Sequence, residues 1–205
     1  MTQIFTGIGL GLHGSSLGQL GRYGPKGAAG LGQGGVSLAV NAATGNVVLK
    51  QSDGFLADFG TRLDLFQSYN SRDAEAWRFN TDTRLAFEGP ANTDGSVVNR
   101  TDEDGHVSRF VYDPRQHAYL PEDGSTARLA FDGASWRYRE GVGQTACHYN
   151  TNGQLTCLTD CDGHALQLGY QNGQLITVTD NRDKQRIVWS FSEGLLRDVT
   201  FQSEG

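Results

Sequence analysis

From Val36 onward the chain is written in short runs that alternate apolar and polar residues, each run broken by turn chemistry. Val36, Leu38 and Val40 alternate with Ser37 and Ala39. Asn41–Asn46 then turns, and Val47-Val48-Leu49 returns. Leu63, Leu65 and Phe66 continue the pattern, as do Leu85 and Phe87. A period of two places alternate side chains on opposite faces of a strand. Between the runs stand Asp53-Gly54, Asp94-Gly95, Asp104-Gly105, Asp123-Gly124, Asp132-Gly133, Asn152-Gly153, Asp162-Gly163 and Asn172-Gly173. Asn or Asp followed by Gly supplies the positive φ that tight hairpin turns require. The pattern predicts an all-β fold of antiparallel β-hairpins, with Arg72–Trp77 the one stretch that leans towards helix.

The last third repeats itself. Tyr149, Gly153 and Leu155 in one segment correspond to Tyr170, Gly173 and Leu175 in the next, and to Phe191, Gly194 and Leu196 in a worn third copy. The step is 20 or 21 residues, enough for two short strands and two turns. Thr101-Asp-Glu-Asp-Gly-His106 is echoed by Thr159-Asp-Cys-Asp-Gly-His164, each with a Tyr six residues after the His, at Tyr112 and Tyr170. Units of this size bury their apolar face only by stacking on neighbours. Tyr149, Leu155, Tyr170, Leu175, Phe191 and Leu196 are therefore expected to be inward anchors. Gly153, Gly163 and Gly173 are expected to be turn glycines.

An aromatic, three residues, Gly, one residue and Leu, followed by Thr-Asp-x-x-Gly, resembles the YD repeat of Rhs proteins. Val40–Leu49, Tyr69-Asn70-Ser71 and Asn80–Leu85 resemble the opening β region of the same polymorphic-toxin chains. The resemblance spans residues 36–201. It implies a strip of antiparallel sheet that curves and spirals into a shell around a C-terminal toxin domain, where that family's activity resides. On this basis the chain divides into a Gly-rich arm at 1–35, an opening β region at 36–140 and about three YD-type repeats at 141–205, the last degenerate. Three repeats are too few to close a shell, so the expected partners are the remainder of a longer Rhs chain, a second copy joined through open β-edges, and an enclosed toxin domain.

Composition sharpens the division. Twelve of the 28 glycines fall within the first 35 residues, and five recur at every third position from Gly18 to Gly30. Five triplets with a single Pro are too short and too poor in imino acid for a collagen helix, which leaves a loose arm. Gly9-Leu-Gly11-Leu-His-Gly14 satisfies the dinucleotide-binding pattern but lacks the flanking strand, helix and downstream acid which that site needs. Residues 1–52 carry no carboxylate and three cations. Residues 53–205 carry all 23 carboxylates against 14 cations, and the chain sums to −6. An acidic body repels phosphate backbones, so nucleic acid is not an expected partner. No run approaches the apolar length of a membrane span. Without a basic segment ahead of Ile4-Phe5, Sec-type export is not expected either. The localisation that follows is cytoplasmic before export, then secreted or cell-surface by a non-Sec route or a bacterial secretion system.

No motif has the context that catalysis needs, and the chain is expected to be non-enzymatic and to need no cofactor. His13-Gly-Ser15-Ser16 lies in the arm and is not a nucleophile elbow. Cys157, Cys161 and His164 have a spacing that would suit zinc on a knuckle, although here they occupy repeat positions taken by other residue types in the next copy. Incidental thiols, a metal and a disulfide stand as the alternatives at that point. Asp102-x-Asp104 and Asp160-x-Asp162 lack the late Glu of a calcium loop, which leaves turn chemistry. Trp77, Trp136 and Trp189, with seven tyrosines, support a second reading: a carbohydrate-binding or adhesion module using surface aromatics.

Overall fold

A computed structural model describes residues 2–5, 36–41, 46–56, 63–72, 77–141, 145–180 and 185–203. Among these residues there are seventeen strands and no helix, and hence no helix long and apolar enough to cross a membrane. The first five strands are β1 (Thr2–Phe5), β2 (Val36–Asn41), β3 (Asn46–Leu56), β4 (Leu63–Asn70) and β5 (Trp77–Phe79), and they form one sheet in that order. The other twelve form a second sheet, also in chain order. They are β6 (Arg84–Glu88), β7 (Val97–Thr101), β8 (Val107–Asp113), β9 (Ala118–Pro121), β10 (Ala127–Phe131) and β11 (Trp136–Glu140), followed by β12 (Ala146–Tyr149), β13 (Leu155–Thr159), β14 (Ala165–Gln171), β15 (Gln174–Asp180), β16 (Gln185–Ser192) and β17 (Leu195–Ser203).

Every pairing is antiparallel between chain neighbours except the first: β1 runs parallel to β2, with Ile4 opposite Val40. The N-terminal arm thus contributes one strand, and residues 6–35 lie outside the described residues, as do positions 73–76 of the helix-leaning stretch. The two sheets divide between Phe79 and Arg84, whereas residues 140 and 141 fall inside the continuous twelve-stranded sheet.

Alternation gives the large sheet one apolar face. Leu85, Val98, Phe110, Tyr119, Leu129, Trp136, Tyr149, Leu166, Val178 and Ile187 are buried on it, and Leu65 of β4 joins the same cluster. Aromatic rings carry the middle of this core. Tyr119 meets Trp136 at 5.2 Å between centroids, Trp136 stacks on Phe131 at 4.6 Å, and Tyr138 meets Phe110 edge to face at 6.0 Å.

A sheet this wide must curl to hide one face. Its first strand reaches back to the β12–β13 turn, where the Leu85 N–H donates to the Gly153 carbonyl at 2.8 Å and Arg84 bridges Gln154. The small sheet ties in through the Asn70 side-chain amide, which donates to the Asp104 carbonyl at 2.8 Å, and through the Ser68 hydroxyl, which donates to the Glu103 carbonyl. Phe79 meets Trp189 edge to face at 6.2 Å.

The turns obey the chemistry expected of them. Asn172 and Gly173 have φ of 51° and 80° and join Gln171 to Gln174, which is the two-residue hairpin of primed type. In the worn copy Glu193, with φ of 55°, occupies the place of the Asn. Asn tolerates that region better than Glu does. Glu193→Asn is expected to stabilise the protein by about 0.5–1 kcal/mol in chemical denaturation. Gly153 has φ of 82°, and a Cβ there would collide with the Leu85 backbone, so Gly153→Ala is expected to lose about 3 kcal/mol or more. Gly124→Ala, with φ of 73° and open space around it, should lose only about 1–2 kcal/mol.

Candidate interaction surface

The anchors proposed from the repeat pair directly across strands: Tyr149 with Leu155, Tyr170 with Leu175, and Phe191 with Leu196. In all three the register shifts immediately before the aromatic, between His148 and Tyr149, Gly169 and Tyr170, and Ser190 and Phe191. A bulge bends its strand and increases the local twist. Each repeat therefore bends at the residue that plants its aromatic on the inner face.

Burial of these pairs falls along the chain. Tyr149 and Leu155 are 0% and 2% exposed, Tyr170 and Leu175 are half-buried, and Phe191 and Leu196 are 36% and 39% exposed. Leu195 and Phe201 beside them are exposed too. The later anchors, with Phe79, Thr81 and Trp189, line an open cleft of about 410 Å³. The Trp189 Nε1–H and the Thr81 hydroxyl are buried beside it, with no hydrogen-bond partner among the described residues. Burial, reinforced by the nearby Asp82 carboxylate, pushes the Tyr170 hydroxyl above the usual tyrosine range, so it stays a neutral donor.

Under the first anchor lies a polar knot that the repeat pattern did not announce. Arg100, 7% exposed, donates from Nε to the Tyr149 hydroxyl at 3.1 Å and forms an ion pair through Nη1 with the Asp102 carboxylate, itself buried. Its guanidinium lies 4.0 Å over the Tyr138 ring. The Tyr149 hydroxyl is also 3.3 Å from the Thr83 hydroxyl. Burial pushes the Tyr149 hydroxyl and the Cys147 thiol upward in pKa, so both are neutral beside the cation. The sequence signal was available: Arg100 has the same strand parity as buried Val98, two residues earlier.

The two Thr-Asp-x-Asp-Gly-His segments form the same loop. Asp102 N donates to the His106 carbonyl at 2.8 Å and Asp160 N to the His164 carbonyl at 3.1 Å. Gly163, with φ of 83°, turns the second loop. Of the zinc alternative, Cys157 sits on the outer face of β13, accepting from the Gln167 amide at 3.4 Å, and Cys161 is exposed in the turn. His164 Nδ1 stands 3.1 Å from Asp160 Oδ2. Among the described residues no three His, Cys, Asp or Glu side chains gather as a metal set, and the three thiols are free. Of the tryptophans, Trp136 and Trp189 are buried in the core, and Trp77 is exposed against Tyr69.

Removing the tyrosine oxygen leaves a buried cation short of an acceptor. Tyr149→Phe is expected to lose about 1–3 kcal/mol in denaturation midpoint analysis. Arg100→Ala, which strands buried Asp102, should lose about 3–5 kcal/mol.

Residues 38–110 match a family described as a domain of unknown function, DUF6531. The matched stretch runs from Leu38 in β2 to Phe110 in β8 and so contains the junction of the two sheets. No curated protein matches the chain.

Proposed function

We propose that the chain is a non-enzymatic wall segment of an Rhs-type β-shell, whose work is to curve, to stack, and to shield a toxin or other cargo. The observation that carries this reading is the graded burial of equivalent anchors, from complete at Tyr149 to one-third exposed at Phe191. Tyr149 is covered by Thr83 and Arg100 from outside its repeat, whereas Phe191 stays one-third exposed, and in this reading the exposed side is where further wall would pack. β17 adds an open edge nine residues long, bearing exposed Leu195 and Phe201. Long apolar edges invite strand addition. Residence outside the cell, by a route other than Sec, belongs to the same reading.

The reading frame beyond Gly205 tests the shell directly. More repeats of 20–21 residues ahead of an unrelated terminal domain are expected, and an immediate stop would overturn the shell. The chain as it stands should self-associate with rising concentration in light scattering. Leu195→Lys/Phe201→Lys should restore the monomer, because charge on an edge strand blocks pairing. A wild-type monomer at high concentration would count against an open edge that recruits strands.

A further inference from the structure

The outer face of the sheet carries a feature unrelated to the repeat anchors. Register places Arg128 on β10 directly opposite Arg139 on β11, and Arg137 between Ala130 and His148. All of these turn away from buried Trp136 and Tyr138. Like charges directly opposite on neighbouring strands destabilise a sheet. With Gln116 and His117 the three arginines line a groove of about 770 Å³ floored by Ala118 and Ala130.

Among the described residues no ion pair neutralises them. Arg128 Nη2 donates to the amide oxygen of Gln116 at 2.8 Å, and among the described residues no carboxylate bonds Arg137 or Arg139. Neighbouring acids are otherwise engaged. Asp132 accepts from the backbone of Ala134 and Ser135, Asp113 from the Arg115 backbone and the Gln116 amide, and Glu122 pairs with Arg109. Glu140 shares the parity of Tyr138 and faces the other way. Burial and then Arg137 and Arg139 hold the His148 imidazole below its usual pKa, and Asp132 offsets this only in part. In a chain of net charge −6 this is a concentrated positive strip.

We infer that this groove receives an extended acidic peptide segment. Arg137 and Arg139 are two residues apart on one strand, about 6.6–7 Å, which is also the spacing of alternate carboxylates on an extended peptide. Each guanidinium offers a planar fork that matches a carboxylate with two parallel hydrogen bonds. Small Ala118 and Ala130 let a backbone lie close to the sheet. Single-stranded nucleic acid fits less well, because the lining holds no Phe, Tyr or Trp for bases to stack on. The acidic body also opposes a long polyanion.

The test uses the full chain and a fluorescein-labelled peptide of alternating Glu and Thr, followed by fluorescence anisotropy at low salt. Saturable binding that weakens as salt rises is expected, with affinity lowered at least about tenfold in Arg137→Ala/Arg139→Ala. Arg186→Ala, an outer-face arginine bonded to Gln202 away from the groove, should stay within about twofold of the wild type. Equal affinity of the double variant and the wild type would overturn the inference. So would equal binding of a Lys-Thr peptide, or tighter binding of an oligothymidylate of matched charge. If the double variant does not fold by circular dichroism, the wild type alone decides. The peptide's carboxylates should raise the His148 pKa in an NMR titration, and an unmoved His148 with peptide bound would place the peptide elsewhere and refute the groove.

Discussion

An aromatic side chain on a lone hairpin has nothing to pack against, and this constraint shapes the whole sheet. A β-strand pair offers two faces, and only another layer or a curl of the same sheet can cover one of them. Here the chain curls: from β6 to β12 it does so with no register shift among the described residues, and in the later strands a recurring bulge adds to the bend. Each register shift ahead of Tyr149, Tyr170 and Phe191 bends the strand where a ring must turn inward. The bend and the anchor are thus one event, repeated every 21 residues. The curl then brings β6 back to the β12–β13 turn, where only a glycine at position 153 lets the Leu85 backbone approach.

Closure of this kind has to accommodate polar groups as well as apolar ones. The corner where β4 meets the Asp102–His106 loop joins two sheets whose strands do not pair, so backbone carbonyls there need other donors. Ser68 and Asn70 supply them to Glu103 and Asp104. Arg100 then sits just inside the corner with its charge met by Asp102, its Nε–H accepted by Tyr149 and its face covered by Tyr138. A buried pair of this kind adds little net stability over well-packed apolar residues, but losing one partner is severe.

Much of the architecture was legible in the chain, for local reasons. Alternation located the strands, and Asn or Asp before Gly located the hairpins, because those signals act over two to four residues. Tyr149 and Leu155 could be named as anchors because repetition revealed equivalent positions. What repetition could not show is that Tyr149 is also a hydrogen-bond acceptor, since Arg100 lies 49 residues away in sequence. Nor could it show the exposure of Phe191, which depends on what packs over it and not on its own residue type. The parallel pairing of Thr2–Phe5 with β2 was hidden for the same reason: four residues carry too little pattern to choose a partner some 36 positions on.

Net charge misleads in this fold because the two signs answer to different demands. Many of the acids are where turns need them. Asp104, Asp113, Asp123, Asp132 and Asp160 each accept a backbone N–H two residues on, which stabilises the corner and holds the carboxylate there. Arginine answers to no such demand, and on the outer face of β10 and β11 it gathers where the register sets Arg128 against Arg139. The chain is therefore acidic along its corners and basic on one broad strip. An overall charge of −6 argues against long polyanions, whose length would carry them over the corners. A short acidic strand lying along the arginines meets only the corner acids at the ends of the groove, Asp113 and Asp132, and their own turns already hold both, so the same net charge opposes it less. For an acidic ligand of the inferred kind, length then matters as well as sign.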